Sequence, residues 1–226
     1  MFHNMLKITL PIVMIALTLL AAPAGASPNF FPTRTDWTAA VTNIITAPFD
    51  AQAGPDAYTG YNTLAGLTVG EVTFVGYTGT PGEYNLKVYN PAYSATLERG
   101  SGPSLGGGWS PGYVLATLPA GGVYALAVDF TIEATAPGRS VTITLSSEDS
   151  YTITAPTNSS MAFWGFTSLC PITDIRFSAT NSFTMIDNFS YASIPGAEET
   201  PEPIGLVLGA TGLAAIWLAR RMRRFC

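Results

Sequence analysis

Histidine is almost missing from this chain. The one imidazole, His3, lies ahead of an apolar run that ends at Ala22. Everything after residue 26 therefore lacks histidine. That excludes a Ser-His-Asp triad, a Cys-His pair and histidine-based zinc or iron sites, and it removes the commonest general base. Cysteine is scarce as well, with only Cys170 and Cys226. If the apolar run at 204–219 crosses a membrane, the two thiols end on opposite sides of it. No disulfide framework is then available, and Cys170 is expected as a lone, partly buried thiol. Charge is sparse, at 11% of residues. Residues 27–200 hold fourteen acids against five bases, a net of −9. An acidic surface of this kind argues against nucleic acid as a partner. Neither a P-loop nor a dinucleotide fingerprint is present. Gly106-Gly107-Gly108 follows no strand-to-helix pattern, so the stretch from 99 to 111 is expected as a flexible loop or the rim of a groove.

The two ends read differently from the middle. Lys7, an apolar run over 8–22 and Pro23-Ala24-Gly25-Ala26 make a short basic, apolar and small-residue series. This predicts a signal peptide over 1–26, with Ala24 and Ala26 at the cleavage site. At the other end, residues 204–219 carry no charge. Such a helix spans ~24 Å, somewhat short of the ~30 Å hydrocarbon core. Arg220, Arg221, Arg223 and Arg224 follow at once. A buried core helix gains nothing from them, whereas a membrane helix uses them to fix its cytoplasmic end. Residues 195–203 are an acidic, proline-rich linker.

Between the ends, strand patterns dominate. Ten segments are predicted, at 44–49, 67–75, 84–89, 113–118, 123–133, 140–145, 151–155, 161–167, 174–179 and 183–191. In Val141-Thr142-Ile143-Thr144-Leu145 apolar and hydroxylated residues alternate. Alternation is weaker at 123–130, as in a central strand buried on both faces. Thr80-Pro81-Gly82 and Ala120-Gly121-Gly122 are turn signals. One short helix, capped by Thr35 or Asp36, carries Trp37. The predicted fold is all-β: a single jelly-roll-like β-sandwich over 27–194.

Three chemistries remain open to such a domain. A glycosidase needs two carboxylates. Glu98, Asp129, Glu133, Glu148, Asp149, Asp174 and Asp187 are available, and no spacing selects a pair. Calcium takes oxygen ligands from loops, and Asp50, Asp187 and Asn188 are expected to meet where the chain ends adjoin. Flat aromatic rings stack on the apolar faces of sugars. Tyr58, Tyr61, Tyr77, Tyr93, Trp109 and Tyr113 fall in or near loops, with Trp109 and Tyr113 the expected ligand contacts. Trp37 and Trp164 are expected in the core.

The tail carries a family resemblance. Pro201-Glu202-Pro203, the glycine-containing apolar run 204–219 and the arginines at 220–224 resemble the PEP-CTERM sorting signal, a short domain also named after the C-terminus of an ice-binding protein. The likeness covers about a tenth of the chain, and Phe225-Cys226 extends past the usual basic end. It implies recognition by an exosortase, a membrane-embedded protease-transpeptidase of biofilm-forming Gram-negative bacteria. Cleavage near Pro201-Glu202-Pro203 would pass the product to the cell surface or extracellular matrix. The middle of the chain looks more loosely like exported β-sandwich domains that accompany this signal. The resulting expectation is a non-enzymatic, structural or adhesive surface protein that binds exopolysaccharide. The alternative is a polysaccharide-active glycosidase.

Overall fold

The computed structural model describes residues 29–96, 102–109, 111–132, 140–154, 161–180 and 182–194. The signal peptide with Ala24 and Ala26, the linker, Pro201-Glu202-Pro203, the run 204–219, the arginine cluster, Glu98 and Glu133 lie outside the described residues. Among the described residues no helix is long and apolar enough to cross a membrane.

Two antiparallel sheets face each other. The larger contains β1 (Asn29–Phe31), β2 (Thr42–Ala47), β3 (Tyr58–Gly60), β6 (Leu86–Tyr89), β7 (Ser104–Gly107), β9 (Val123–Ile132), β12 (Ala162–Ile172) and β14 (Thr184–Ser193). Its order is β1-β12-β9-β14-β7-β6-β3, and β2 pairs with β14 beyond the end of β7. The smaller contains β4 (Leu67–Val69), β5 (Val72–Tyr77), β8 (Tyr113–Thr117), β10 (Ser140–Leu145), β11 (Ser150–Thr154) and β13 (Asp174–Ala179), in the order β11-β10-β13-β8-β5-β4. This is an all-β sandwich, as the strand pattern predicted. All ten predicted segments fall on strands. The short strands β1, β3 and β7 were not foreseen, and the segment 67–75 divides into β4 and β5 at Gly70, whose φ is +61°.

Each sheet turns its apolar residues inward. From β9 come Leu126, Val128 and Phe130, and from β10 Val141, Ile143 and Leu145; all are buried in one cluster with Phe74, Phe177 and Phe189. Strand β9 is buried on its other face too, as its weak alternation implied. There Ala125 and Ala127 lie under helix α1 (Arg34–Ala40), with Trp37 fully buried against them. The cap of α1 is Thr33, not Thr35 or Asp36. Its Oγ1 accepts from Asp36 N–H at 3.1 Å and donates to the Asp36 carboxylate at 2.7 Å. Trp164 is buried, as expected.

The glycine-rich stretch is the clearest departure. Ser104–Gly107 is a fully buried strand inside the larger sheet, not a loop. Glycine is needed because neighbours crowd the chain. A Cβ on Gly106 would meet the Met185 sulfur and stand 2.8 Å from the Tyr89 ring. The chain leaves the sheet only at Gly108, with φ +67°, and turns through a bond from Gly112 N–H to the Trp109 carbonyl at 2.6 Å.

Candidate functional site

The register of the larger sheet sets out its outer face in rows. One row runs Tyr58 on β3, Tyr89 on β6 and Ser104 on β7. Another runs Asp187 on β14, Asp129 on β9 and Phe163 on β12. One row is aromatic and ends at a sheet edge. The other is carboxylate-bearing and lies at mid-sheet.

The aromatic row forms because β6 alternates. Leu86 and Val88 are buried inward, which sends Lys87 and Tyr89 outward. Helix α2 (Pro91–Thr96) follows β6 directly and carries Tyr93 back over the row. The Tyr93 and Tyr89 rings are nearly parallel, 5° apart in plane with centroids 6.0 Å apart. Tyr58 lies 5.9 Å from Tyr89, and the Lys87 ammonium stands 4.3 Å over the Tyr58 ring. Tyr89 is buried beneath, whereas Tyr58 and Tyr93 are 45% and 36% exposed. Aromatic surface therefore faces solvent on a supported base.

Beside Tyr93 opens a shallow cavity of about 340 Å³, lined by Pro55, Asp56, Ala57, Asn90, Ala92 and Tyr93. Asn90 holds its walls together. Its N–H donates to the Ala57 carbonyl at 3.0 Å, and its Nδ2 donates to the Gly54 carbonyl at 2.9 Å. Its Oδ1 accepts from Ala92 N–H at 2.9 Å. Thr59 Oγ1 accepts from Gly54 N–H at 3.0 Å and ties the same loop to β3. The cavity is thus fixed by hydrogen bonds before any ligand arrives.

The carboxylate row sits at a β-bulge. The pairing of β14 with β9 shifts between Asp187 and Ser190, and Asn188 takes φ +48°, a conformation asparagine tolerates. Asn188 Nδ2 donates to Asp129 Oδ2 at 2.8 Å, and its N–H donates to Asp187 Oδ1 at 2.7 Å. Arg34 reaches over from α1, 3.1 Å from Asp129 Oδ1 and 3.2 Å from the Asn188 carbonyl. Its guanidinium also covers Phe163 at 5.0 Å. Burial raises the Asp187 carboxyl above its ordinary range, and the Asp129 and Asp50 charges push the same way. The bond from Asn188 N–H and the charge of Arg34 pull it back in part. Of the residues expected at a calcium site, Asp187 and Asn188 share this bulge and Asp50 lies in the turn after β2; the cation at the bulge is Arg34, paired with Asp129. Among the described residues no group of three or more His, Cys, Asp or Glu is placed to hold a metal ion.

The folded state holds the Asp187 proton more tightly than the unfolded chain does. Its ionisation therefore lowers stability as pH rises from the ordinary value of 3.8 through the raised folded value. Asp187→Asn keeps an acceptor for Asn188 N–H and removes that loss. Thermal melting should show the variant above wild type at pH 7, with the gap closing as pH falls toward the carboxylate range. Equal melting temperatures at pH 7 would refute this.

The other sequence-selected residues lie elsewhere. Trp109 is 45% exposed and packs edge-on against Phe183, 4.7 Å away. It follows the Gly107 end of β7, whereas Tyr89 pairs at the Ser104 end, so Trp109 does not join the tyrosine row. Tyr113 lies on the smaller sheet and is half-buried. Tyr77 stacks on it at 4.8 Å, and the Arg176 guanidinium lies 5.6 Å from its centroid. Tyr61 packs against the core and donates to the Gln52 carbonyl at 3.2 Å. Glu148 and Asp149 are in the turn before β11, and Asp174 opens β13. Cys170 is exposed and free rather than partly buried, because β12 leaves its pairing register between Thr167 and Ile172. Sequence reading missed Asp56, Tyr89, Asn90 and the partnership of Arg34 with Asp129. The alternation of Leu86-Lys87-Val88-Tyr89 was the one available signal for Tyr89.

No family model matches the chain, and no curated protein matches it. Among solved structures it is similar to family 29 carbohydrate-binding modules. One, a mutant made to probe ligand recognition, is 14% identical, with 66% of this chain and 99% of that one covered and a TM-score of 0.37. A second, a mutant complexed with mannohexaose, is 15% identical over 60% and 91%, with the same TM-score. A third is 15% identical over 71% and 98%, at 0.34. These scores are too low to establish a shared fold, and the sandwich rests on its own strand pairings.

Proposed function

We propose that this chain is an exported, non-catalytic, jelly-roll-like β-sandwich that binds polysaccharide at the β3–β6–α2 edge. One observation carries the proposal: exposed tyrosine rings on a buried aromatic base, beside a cavity whose walls are already tied by Asn90. Flat rings cover the apolar face of a sugar, and cavities of about 300 Å³ upward suit small ligands. Tyr93→Ala should weaken oligosaccharide binding about tenfold, the ~1.4 kcal/mol at the upper end of an aromatic contact. Trp109→Ala should leave affinity unchanged. Titration calorimetry on binders picked from a glycan array measures both. Loss of binding in Trp109→Ala with Tyr93→Ala intact would reverse the assignment.

The glycosidase alternative would centre on Asp129 and Asp187, which face each other across β9 and β14. Both Asp129 oxygens are already engaged, by Arg34 and by Asn188. This disfavours either oxygen as nucleophile or base. The route to the surface rests on the tail: Pro201-Glu202-Pro203, the apolar run and the arginines support exosortase processing. Mass spectrometry of the surface-exposed protein should find a C-terminus near that motif. A chain intact through Cys226 would end that part of the proposal.

A further inference from the structure

We infer that the polysaccharide bound at this cavity carries free amino groups, as protonated hexosamine units. The inference rests on the reading of the cavity as a glycan site and specifies its ligand. Apart from Asp56, the lining is uncharged: Pro55, Ala57, Ala92, the ring of Tyr93, and Asn90, whose amide is committed to the walls. The Asp56 carboxylate is exposed and has no hydrogen bond or ion pair among the described residues. Lys87, a cation on the same face, already stands over the Tyr58 ring. The cavity therefore offers one uncommitted negative charge beside an aromatic wall. A hexosamine matches both features: its apolar ring face lies on Tyr93 while its ammonium meets Asp56. A neutral hexose meets only the first. An anionic sugar meets a repulsive carboxylate and approaches a domain whose net charge is −9 over residues 27–200.

General acidity also attracts cationic chains, so the test must separate one carboxylate from the overall field. Three β-1,4-linked hexasaccharides serve as probes: of glucosamine, of N-acetylglucosamine and of glucose. Each is titrated into the full-length protein, into Asp56→Asn and into Glu148→Gln. Glu148 lies in the turn leading into β11. That strand is at the far edge of the sandwich, where Tyr151 meets Phe30 of β1. The expected result is a preference of about fivefold for the glucosamine hexamer over the glucose hexamer at low salt, the size of one exposed ion pair. Asp56→Asn should abolish the preference and Glu148→Gln should retain it. Equal binding of all three probes would overturn the inference and leave the glycan site standing. So would a preference that both substitutions reduce alike. Binding of none of them would remove both.

Discussion

Trp37→Ala should lower the unfolding free energy by about 3–5 kcal/mol, the usual loss for deleting a buried tryptophan. Domains of this kind hold only about 5–15 kcal/mol in total, so the variant stands near the edge of folding. The size follows from the seat. Trp37 is fully buried on the outer face of the larger sheet, where Ala125, Ala127 and Ala192 leave room for it. Gly165 completes the seat, since a Cβ there would stand 3.0 Å from the indole. The indole N–H also donates to the Phe166 carbonyl at 3.3 Å. Trp37→Phe keeps most of the apolar bulk but loses that bond and should cost less, about 1–2 kcal/mol. Urea denaturation followed by fluorescence or circular dichroism measures both. A wild-type midpoint in Trp37→Ala would mean that α1 is not needed to close this face.

The second large effect lies between fold and site. Gly106→Ala places a methyl where Met185 and Tyr89 already meet. Met185 is fully buried and Tyr89 nearly so, so neither has open space to retreat into. Overpacking of this kind costs about 1–3 kcal/mol. The functional consequence reaches further, because Tyr89 is the base on which Tyr58 and Tyr93 rest. The variant should therefore lose oligosaccharide affinity as well as stability. A parallel fall in melting temperature and affinity is the expected pattern. Lower stability with wild-type affinity would uncouple the tyrosine row from binding.

Much of the sandwich is legible in the sequence because period-two alternation survives wherever one face meets the core. Ser140–Leu145 is the plainest case, with Val141, Ile143 and Leu145 inward. Ser104–Gly107 was illegible for a physical reason. Glycines usually mark turns, but here they are required by the close approach of Met185, Tyr89 and the Asn85 carbonyl, which no local pattern reveals. Helix α1 was legible from Trp37, but its cap was misplaced by two or three residues because Thr33, Thr35 and Asp36 are all good caps.

The site was half legible. Tyr58 and Tyr93 stood among the candidate rings, yet they are 35 residues apart and share the Tyr89 base only because β3 pairs with β6. Tyr113 carried the same composition signal and packs against Tyr77 and Arg176 on its own sheet. Ring type alone could not separate a ring open to solvent from a ring packed against its own sheet. Asp129 stood among the candidate acids, but its pairing with Arg34 depends on how α1 lies over the sheet.

The central claim is polysaccharide binding at the β3–β6–α2 edge. Its most direct test is amide chemical-shift mapping of the isotopically labelled protein, titrated with the tightest-binding of the three hexasaccharides. The expected perturbations cluster at Asp56, Ala57, Tyr58, Asn90 and Tyr93 and saturate together. Perturbations centred on Trp109, Phe183 and Tyr113 instead, or none at all at saturating sugar, would contradict it.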